Sequence, residues 1–184
     1  NSIASIVGGS IFLAALLGCR AKTACEPGAV MPLAVRLRAD PRSNLSPQGN
    51  PLTTEVRVYQ VAGPRTLEES SYHDLLEDAE ARLGKDLLAP PLPADYLYPG
   101  GEIALSFERE AKARFLAVLA FVREPIGRSW RVITPLPAND LCREGKPVAG
   151  TFLYELRGSR LSGGIKLDEP TAERTKRKPR RSSL

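Results

Sequence analysis

Hydrophobic and polar residues alternate along several short stretches of the chain, and this pattern predicts β-strands. Leu33, Val35 and Leu37 are separated by small or basic residues, and a period of two marks a strand with one buried face. Residues 115–122 are instead apolar without a break, which is typical of a strand buried on both faces. Related patterns predict further strands at 56–59, 103–107, 130–136, 151–156 and near 161.

The period changes to that of a helix between the second and third predicted strands. Ser70 or Ser71 can cap a helix that ends at Gly84. The apolar positions of this helix recur at spacings of three and four and form one stripe, made of Tyr72, Leu75, Leu76, Ala79 and Leu83. Short strands with turn residues and one inserted helix predict a mainly β, two-sheet β-sandwich that carries a small helical insertion near 66–98.

The N-terminal segment has the features of a lipoprotein signal. Residues 3–17 are apolar or small throughout, and as a helix they would span about 22 Å, less than a hydrocarbon core of roughly 30 Å. The run ends in Leu16-Leu17-Gly18-Cys19, which is similar to a bacterial lipobox, so we expect cleavage after Gly18 and lipidation of Cys19. The alternative is a buried thiol in an ordinary hydrophobic segment. Because the chain opens on Asn1 instead of methionine, we expect its natural start to lie upstream.

These patterns divide the chain into four parts. Residues 1–18 are the predicted signal segment, 19–29 a lipidated tether, 30–168 the sandwich domain and 169–184 a basic tail predicted to be disordered. Arg20 follows the lipidated cysteine, where an aspartate usually retains diderm lipoproteins at the inner membrane. We therefore expect an anchor in the outer membrane, with the domain in the periplasm.

The basic charge of the chain belongs to its tail. The sequence holds 26 Lys and Arg against 21 Asp and Glu, a net charge of +5. Residues 171–184 contain six basic side chains and one acidic one, so the other 170 residues are neutral overall. This distribution argues against a nucleic-acid-binding domain. The tail either solubilises the chain or contacts anionic lipid, peptidoglycan or an acidic partner.

Little in the composition suggests catalysis. His73 is the one histidine, and the acidic residues around it favour a solvated helix face. Nucleotide-binding, zinc-protease and serine-hydrolase motifs are absent from the sequence, so we predict no enzyme, no metal and no cofactor apart from a covalent lipid on Cys19. In an oxidising compartment Cys25 and Cys142 could form a disulfide, or they could remain separate thiols.

Three basic residues alternate with predicted core positions. Arg36 and Arg38 follow this pattern in the first strand, and Arg57 follows it in the second. The pattern predicts that all three lie on an exposed face of the sandwich.

Four motifs are together similar to the TssJ (VasD/SciN) family of type VI secretion system lipoproteins. The most telling is the loop LSPQGNPL at 45–52, which leads into the strand EVRVYQV at 55–61. The other motifs lie at 83–88, at 99–100 and across 113–136. The resemblance covers roughly residues 19–163, and the lipobox agrees with it independently.

The resemblance implies a transthyretin-like β-sandwich and a function without catalysis. Members of this family lie on the inner leaflet of the outer membrane and bind the periplasmic domain of the inner-membrane protein TssM, in a complex that also contains TssL. The family's partner-binding loop corresponds here to Asn44, Leu45, Ser46, Pro47, Gln48, Gly49, Asn50 and Pro51. We expect Leu45 and Leu52 to be its exposed apolar residues. The alternatives are an ordinary polar loop and a periplasmic lipoprotein that binds a glycan or small apolar ligand.

Overall fold

The structure is a computed structural model, and it describes residues 30–90, 92, 95–136, 142–143, 146–147 and 149–167. The predicted signal segment, the tether and the basic tail therefore lie outside the described residues. The elements in chain order are β1 (Pro32–Ala39), β2 (Thr54–Val61), α1 (Arg65–Glu69), α2 (Tyr72–Leu83), β3 (Asp95–Leu97), β4 (Glu102–Glu108), β5 (Phe115–Phe121), β6 (Arg131–Pro135), β7 (Cys142–Arg143), β8 (Lys146–Pro147), β9 (Gly150–Arg157) and β10 (Arg160–Leu167).

Two four-stranded sheets form the body of the molecule. The first sheet has the order β10-β9-β1-β4 and the second has the order β3-β2-β5-β6. Strand β1 is parallel to β9, and the other neighbouring pairs in these two sheets are antiparallel. The predicted mainly β, two-sheet sandwich with a helical insertion is confirmed.

The core lies between the two sheets and follows the predicted alternation. Leu33, Val35 and Leu37 of β1 are at most 2% exposed and face the second sheet. Tyr154 of β9 is also buried, and its hydroxyl lies 2.8 Å from the Thr134 hydroxyl of β6, so a hydrogen bond joins the two sheets. Burial raises the pKa of Tyr154 to about 12, which keeps the phenol protonated in that bond.

The helical insertion covers the outer face of the second sheet. Ser71 and Asp74 form a reciprocal capping box at the start of α2, which ends at Gly84 with φ 49°. Asp78 has a non-helical conformation and its carboxylate accepts a hydrogen bond from the Ala81 amide, so it caps the second half of the helix. Strand β5 lies in the middle of this sheet and is buried on both faces, as its unbroken apolar run predicts.

Two arginines of the second sheet hold the insertion in place. Arg131 is 8% exposed and donates hydrogen bonds to the backbone carbonyls of Leu67, Glu68 and Ser70. Its guanidinium also lies 4.9 Å from the centre of the Trp130 ring. Burial lowers the pKa of Arg131, but an arginine in a protein keeps its proton, so the cation faces the carbonyl end of α1.

Arg57 has a similar role, which corrects the prediction that it lies on an exposed face. It donates to the carbonyls of Leu75 and Leu76 in α2 and lies 4.6 Å from the Phe121 ring centre. Arg36 and Arg38 do lie on an exposed face, where both bind Glu102. The alternation of residues is the same in both strands. Within the described residues, the helices pack on the outer side of the second sheet and not of the first, so the alternation alone could not distinguish the two strands.

Other departures from the sequence prediction concern short strands. Strand β3 falls within the region predicted to be helical decoration, and it pairs with β2 from Thr54↔Leu97 to Val56↔Asp95. Its three residues are too few to show a period, and their backbone pairing with β2 defines the strand. The hairpin of β7 and β8 was not predicted for the same reason, and β10 is longer than expected.

Removal of the Arg131 guanidinium should destabilise the fold. We expect Arg131→Met to lower the free energy of unfolding by about 2–4 kcal/mol, because two buried carbonyls and one partly buried carbonyl would lose their donors. Urea denaturation followed by circular dichroism measures this change. Arg65→Met is the matched control, since Arg65 makes a solvent-exposed ion pair with Glu69 that should contribute little to stability. Equal effects of the two substitutions would contradict the clamping role of Arg131.

Candidate functional site

Four connections gather at one end of the sandwich, which we call the loop end. They are the β1–β2 loop, the β3–β4 loop, the β5–β6 loop and the β9–β10 turn, at 40–53, 98–101, 122–130 and 158–159. Backbone hydrogen bonds tie all four together. The Gly100 N–H donates to the Asp40 carbonyl, the Asn44 N–H donates to the Gly158 carbonyl, and the N–H of Leu161, just after the β9–β10 turn, donates to the Ser129 carbonyl. The predicted partner-binding loop therefore belongs to a larger joined surface.

The predicted loop is a small, internally bonded hairpin. Leu45 and Pro51 form an antiparallel bridge, and the Ser46 amide donates to the Asn50 carbonyl at 2.8 Å. The Gly49 amide donates back to the Ser46 carbonyl, and the Asn50 amide donates to the Ser46 hydroxyl. Gly49 has φ 80°, a value that glycine adopts at little cost. The tip is thus held in one shape before any partner binds.

Asn44 fixes this hairpin to the rest of the loop end. It is 3% exposed and is the non-glycine residue with positive φ in the described part of the chain, at 51°. Its side-chain amide donates to the Thr53 carbonyl, and its side-chain oxygen accepts the Arg123 amide at 2.7 Å. Asparagine suits this position because it tolerates the left-handed region and has both a donor and an acceptor.

The members of the predicted loop differ in accessibility. Asn44 is buried, Leu45 and Ser46 are partly buried, and residues 47–51 are exposed. The expectation that Leu45 and Leu52 are exposed apolar residues is wrong, because both are half-buried as they close the base of the hairpin. The surface available to a partner is therefore the tip, Pro47 to Pro51.

Two exposed apolar side chains on neighbouring loops were not singled out from the sequence. Tyr98 of the β3–β4 loop is 66% exposed and Ile126 of the β5–β6 loop is 53% exposed. Ile126 lies between Pro125 and Gly127, which are typical turn residues. An apolar residue within a predicted turn is the sequence feature that could have identified it as exposed. These residues extend the candidate surface beyond the β1–β2 loop.

The opposite end of the sandwich is where the chain enters the domain. Strand β1 begins there, and its eight residues carry the chain about 25 Å to the loop end. Cys142 of β7 lies in the connection between β6 and β9, which is at this entry end, and it is disulfide-bonded. The other two cysteines, Cys19 and Cys25, lie outside the described residues. The predicted lipid on Cys19 is therefore also beyond what the structure describes.

The other residues considered for catalysis or ligand binding do not form a site in the described part of the chain. His73 is exposed on α2, and hydrogen bonds from the Ser71 backbone and side chain lower the pKa of its neighbour Asp74. In the part of the chain that the structure describes, groups of three or more His, Cys, Asp or Glu able to hold a metal are not found. A shallow cleft of about 240 Å³ is lined by charged residues that include Arg38 and Glu155, so it does not favour a small apolar ligand.

Comparison with known proteins places these features in a family. The family model described as "Type VI secretion lipoprotein, VasD, EvfM, TssJ" matches residues 31–157. A search of curated proteins finds no match. Within the described residues, none of the helices is long and apolar enough to cross a membrane.

Solved structures are similar over nearly their whole length. The T6SS lipoprotein TssJ1 from Pseudomonas aeruginosa is 20% identical with a TM-score of 0.63, over 77% of this chain and 99% of that chain. Lip from Serratia marcescens, a membrane-bound component of the type VI secretion system, is 21% identical with a TM-score of 0.62, over 76% and 100%. A chain of the structure described as the T6SS protein TssM C-terminal domain from EAEC is 27% identical with a TM-score of 0.56, over 72% and 96%.

Substitution of Asn44 should loosen the joined loops. We expect Asn44→Ala to lower the free energy of unfolding by about 2–4 kcal/mol, because two partly buried hydrogen bonds to the backbone are lost and alanine disfavours positive φ. Asn44→Gly should cost roughly 1 kcal/mol less than Asn44→Ala, because glycine adopts positive φ without strain. It still loses both side-chain hydrogen bonds. Urea denaturation and hydrogen exchange at the Arg123 amide measure these effects.

Asn50→Ala is the matched control for Asn44. Among the described residues Asn50 forms hydrogen bonds through its backbone alone, and its side chain is exposed at the tip, so we expect a change within about 0.5 kcal/mol. Unchanged protection of the Arg123 amide in Asn44→Ala would show that Asn44 does not hold the loops together.

Proposed function

Since the chain belongs to the family of type VI secretion lipoproteins that includes VasD and TssJ, we propose that it links the outer membrane to the inner-membrane protein TssM. In this proposal the lipid on Cys19 inserts into the inner leaflet of the outer membrane, and the loop end binds the periplasmic domain of TssM. The family is one of structural lipoproteins and not of enzymes. TssL is the further expected member of the membrane complex.

The observation that supports this function best is the separation of the two ends. The chain enters the sandwich at the start of β1 and reaches the candidate loop only after the full length of that strand. A lipid attached upstream of residue 30 and a partner bound at 47–51 would therefore occupy opposite ends of a rigid body. Such an arrangement suits a protein that connects a membrane to a second component.

The structure of the loop also suits binding. A segment that is already ordered loses less conformational entropy when it meets a partner. The bonds around Ser46 and the restraint of Pro47 and Pro51 give the tip that order. An ordinary polar connection between two strands does not require so many internal bonds.

The cysteines fit the same arrangement. If Cys19 carries the lipid as a thioether, its sulfur cannot also form a disulfide, which leaves Cys25 as the partner of Cys142. A disulfide of this kind would fasten the tether to the entry end of the sandwich. It would form in the periplasm, where disulfides persist.

Replacement of the loop tip tests the partner site. We expect a chain with Pro47-Gln48-Gly49-Asn50 replaced by Gly-Ser-Gly-Ser to bind the TssM periplasmic domain of the same organism at least about tenfold more weakly. Isothermal titration calorimetry with a chain that begins at Arg20 provides the measurement. The replacement leaves Asn44 and the Leu45–Pro51 bridge in place, so the melting temperature should change little. Binding of unchanged strength would remove residues 47–50 from the interface.

Mass spectrometry of the protein extracted from membranes tests the cysteine assignments. We expect the mature chain to begin at a lipid-modified Cys19 and to contain a Cys25–Cys142 disulfide. Cys19→Ser should move the protein from the membrane fraction to the soluble periplasmic fraction. A disulfide-linked peptide that contains Cys19, or an unmodified Cys19 in the wild-type protein, would contradict the assignment.

A further inference from the structure

The neutral domain divides its charge between two surfaces. Residues 65–86, which contain α1 and α2, hold seven acidic and three basic side chains, a net charge of −4. The connections of the loop end, with the two residues that flank the β9–β10 turn, hold five arginines and two acidic residues, a net charge of +3. The overall neutrality of the domain therefore hides a basic loop end and an acidic helical insertion.

The arginines of the loop end lie on connections that contact one another. Arg157 and Arg160 flank the β9–β10 turn as a cross-strand pair. Arg128 precedes Ser129, whose carbonyl accepts the Leu161 amide next to Arg160. The Arg123 amide is held by Asn44, which also bonds to the β9–β10 turn. Four arginines from two loops thus surround one junction.

This arrangement is unfavourable for the isolated domain. Like charges directly opposite each other on neighbouring strands destabilise a sheet, and Arg157 faces Arg160 in this way. Arg157 binds Glu155 and Arg123 binds Glu124, whereas Arg128 and Arg160 form no ion pair among the described residues. The positive field of Arg128 also lowers the pKa of the buried Arg131, in addition to the effect of burial.

Ile126 adds an apolar contact to this basic surface. It is 53% exposed, and its backbone carbonyl accepts bonds from the Ser129 amide and hydroxyl, which fix the turn that presents it. Protein interfaces commonly combine a buried apolar anchor with a polar rim, and arginine is enriched in them. The loop end has both parts.

We propose that the loop end is a composite docking surface for an acidic protein surface, in which Ile126 is the apolar anchor and Arg123, Arg128, Arg157 and Arg160 form the basic rim. The inference rests on the proposed function, because it names the chemistry that the TssM partner should present. Carboxylates around an apolar contact on the partner would relieve the arginine–arginine repulsion. They would also accelerate association through electrostatic steering.

Charge reversal with association kinetics tests this proposal. The chain from Arg20 onward and the TssM periplasmic domain of the same organism are mixed in a stopped-flow instrument at about 0.02 M and about 0.3 M salt. We expect Arg128→Glu combined with Arg160→Glu to slow association at low salt about tenfold or more and to remove most of the salt dependence. Ile126→Ser should instead mainly accelerate dissociation.

The matched control reverses two charges at the opposite end. Lys112 and Lys146 are both exposed there, so Lys112→Glu combined with Lys146→Glu changes the net charge equally and should alter association less than about twofold. Circular dichroism melting of both double variants checks that the fold is retained.

The possible outcomes separate this inference from the proposed function. If the wild-type chain binds the TssM domain and the association rates of both double variants depend on salt as the wild-type rate does, the basic docking surface is refuted while the proposed function stands. If the wild-type chain does not bind the TssM domain, both fail. If sedimentation instead shows salt-sensitive self-association that the loop-end variant abolishes, the occupant is the acidic insertion of a second copy, and the proposal is overturned.

Discussion

The direction of β1 is the constraint on which the rest of the structure depends. Hydrogen bonds to β4 on one side and to β9 on the other fix this strand in the middle of the first sheet. Because the strand cannot turn back within the sheet, the chain enters at one end of the sandwich and the β1–β2 loop leaves at the other. Its alternating Leu33, Val35 and Leu37 also supply the core that joins the two sheets. One pattern of residues therefore sets both the stability of the domain and the distance between its two proposed attachment points.

The second sheet differs from the first because both of its faces are covered. Its inner face meets the first sheet and its outer face meets the helices, and two arginines bridge that outer layer through backbone carbonyls. Arg57 and Arg131 suit this position because a guanidinium has several donors and can also pack against an aromatic ring. Arg131 supplies donors at the carbonyl end of α1, and Arg57 supplies them to α2 just before its break at Asp78. Both helices are too short to be stable alone. The helical layer leaves the loop end open to solvent.

Periodic segments were predictable from the sequence, and isolated residues were not. The strands β1, β2, β4 and β5 and the helix α2 each repeat a pattern over several residues, so their type and approximate bounds follow from local sequence. Strand β3 has three residues and depends on pairing with β2, which local sequence does not encode. The partial burial of Arg57 depends on α2, which lies outside β2 in the sequence and so leaves no trace in the residue pattern of that strand. The position of the loop follows from the resemblance, but the role of Asn44 depends on Thr53, Arg123 and Gly158, which only the fold brings together.

Net charge is a poor guide to the surfaces of this domain, because it averages over regions that act separately. The sum over the chain before residue 171 is zero, yet acidic side chains collect on the helical insertion and arginines collect at the loop end. A partner interacts mainly with charges within about 8 Å at physiological salt, so it responds to the local charge and not to the sum over the domain. The hairpin and the arginines would also contribute to binding in different ways, since an ordered loop lowers the entropy lost in the complex while charge mainly raises the rate of encounter. Asn44 couples the two contributions, because its bonds hold the hairpin and the Arg123 backbone in one arrangement.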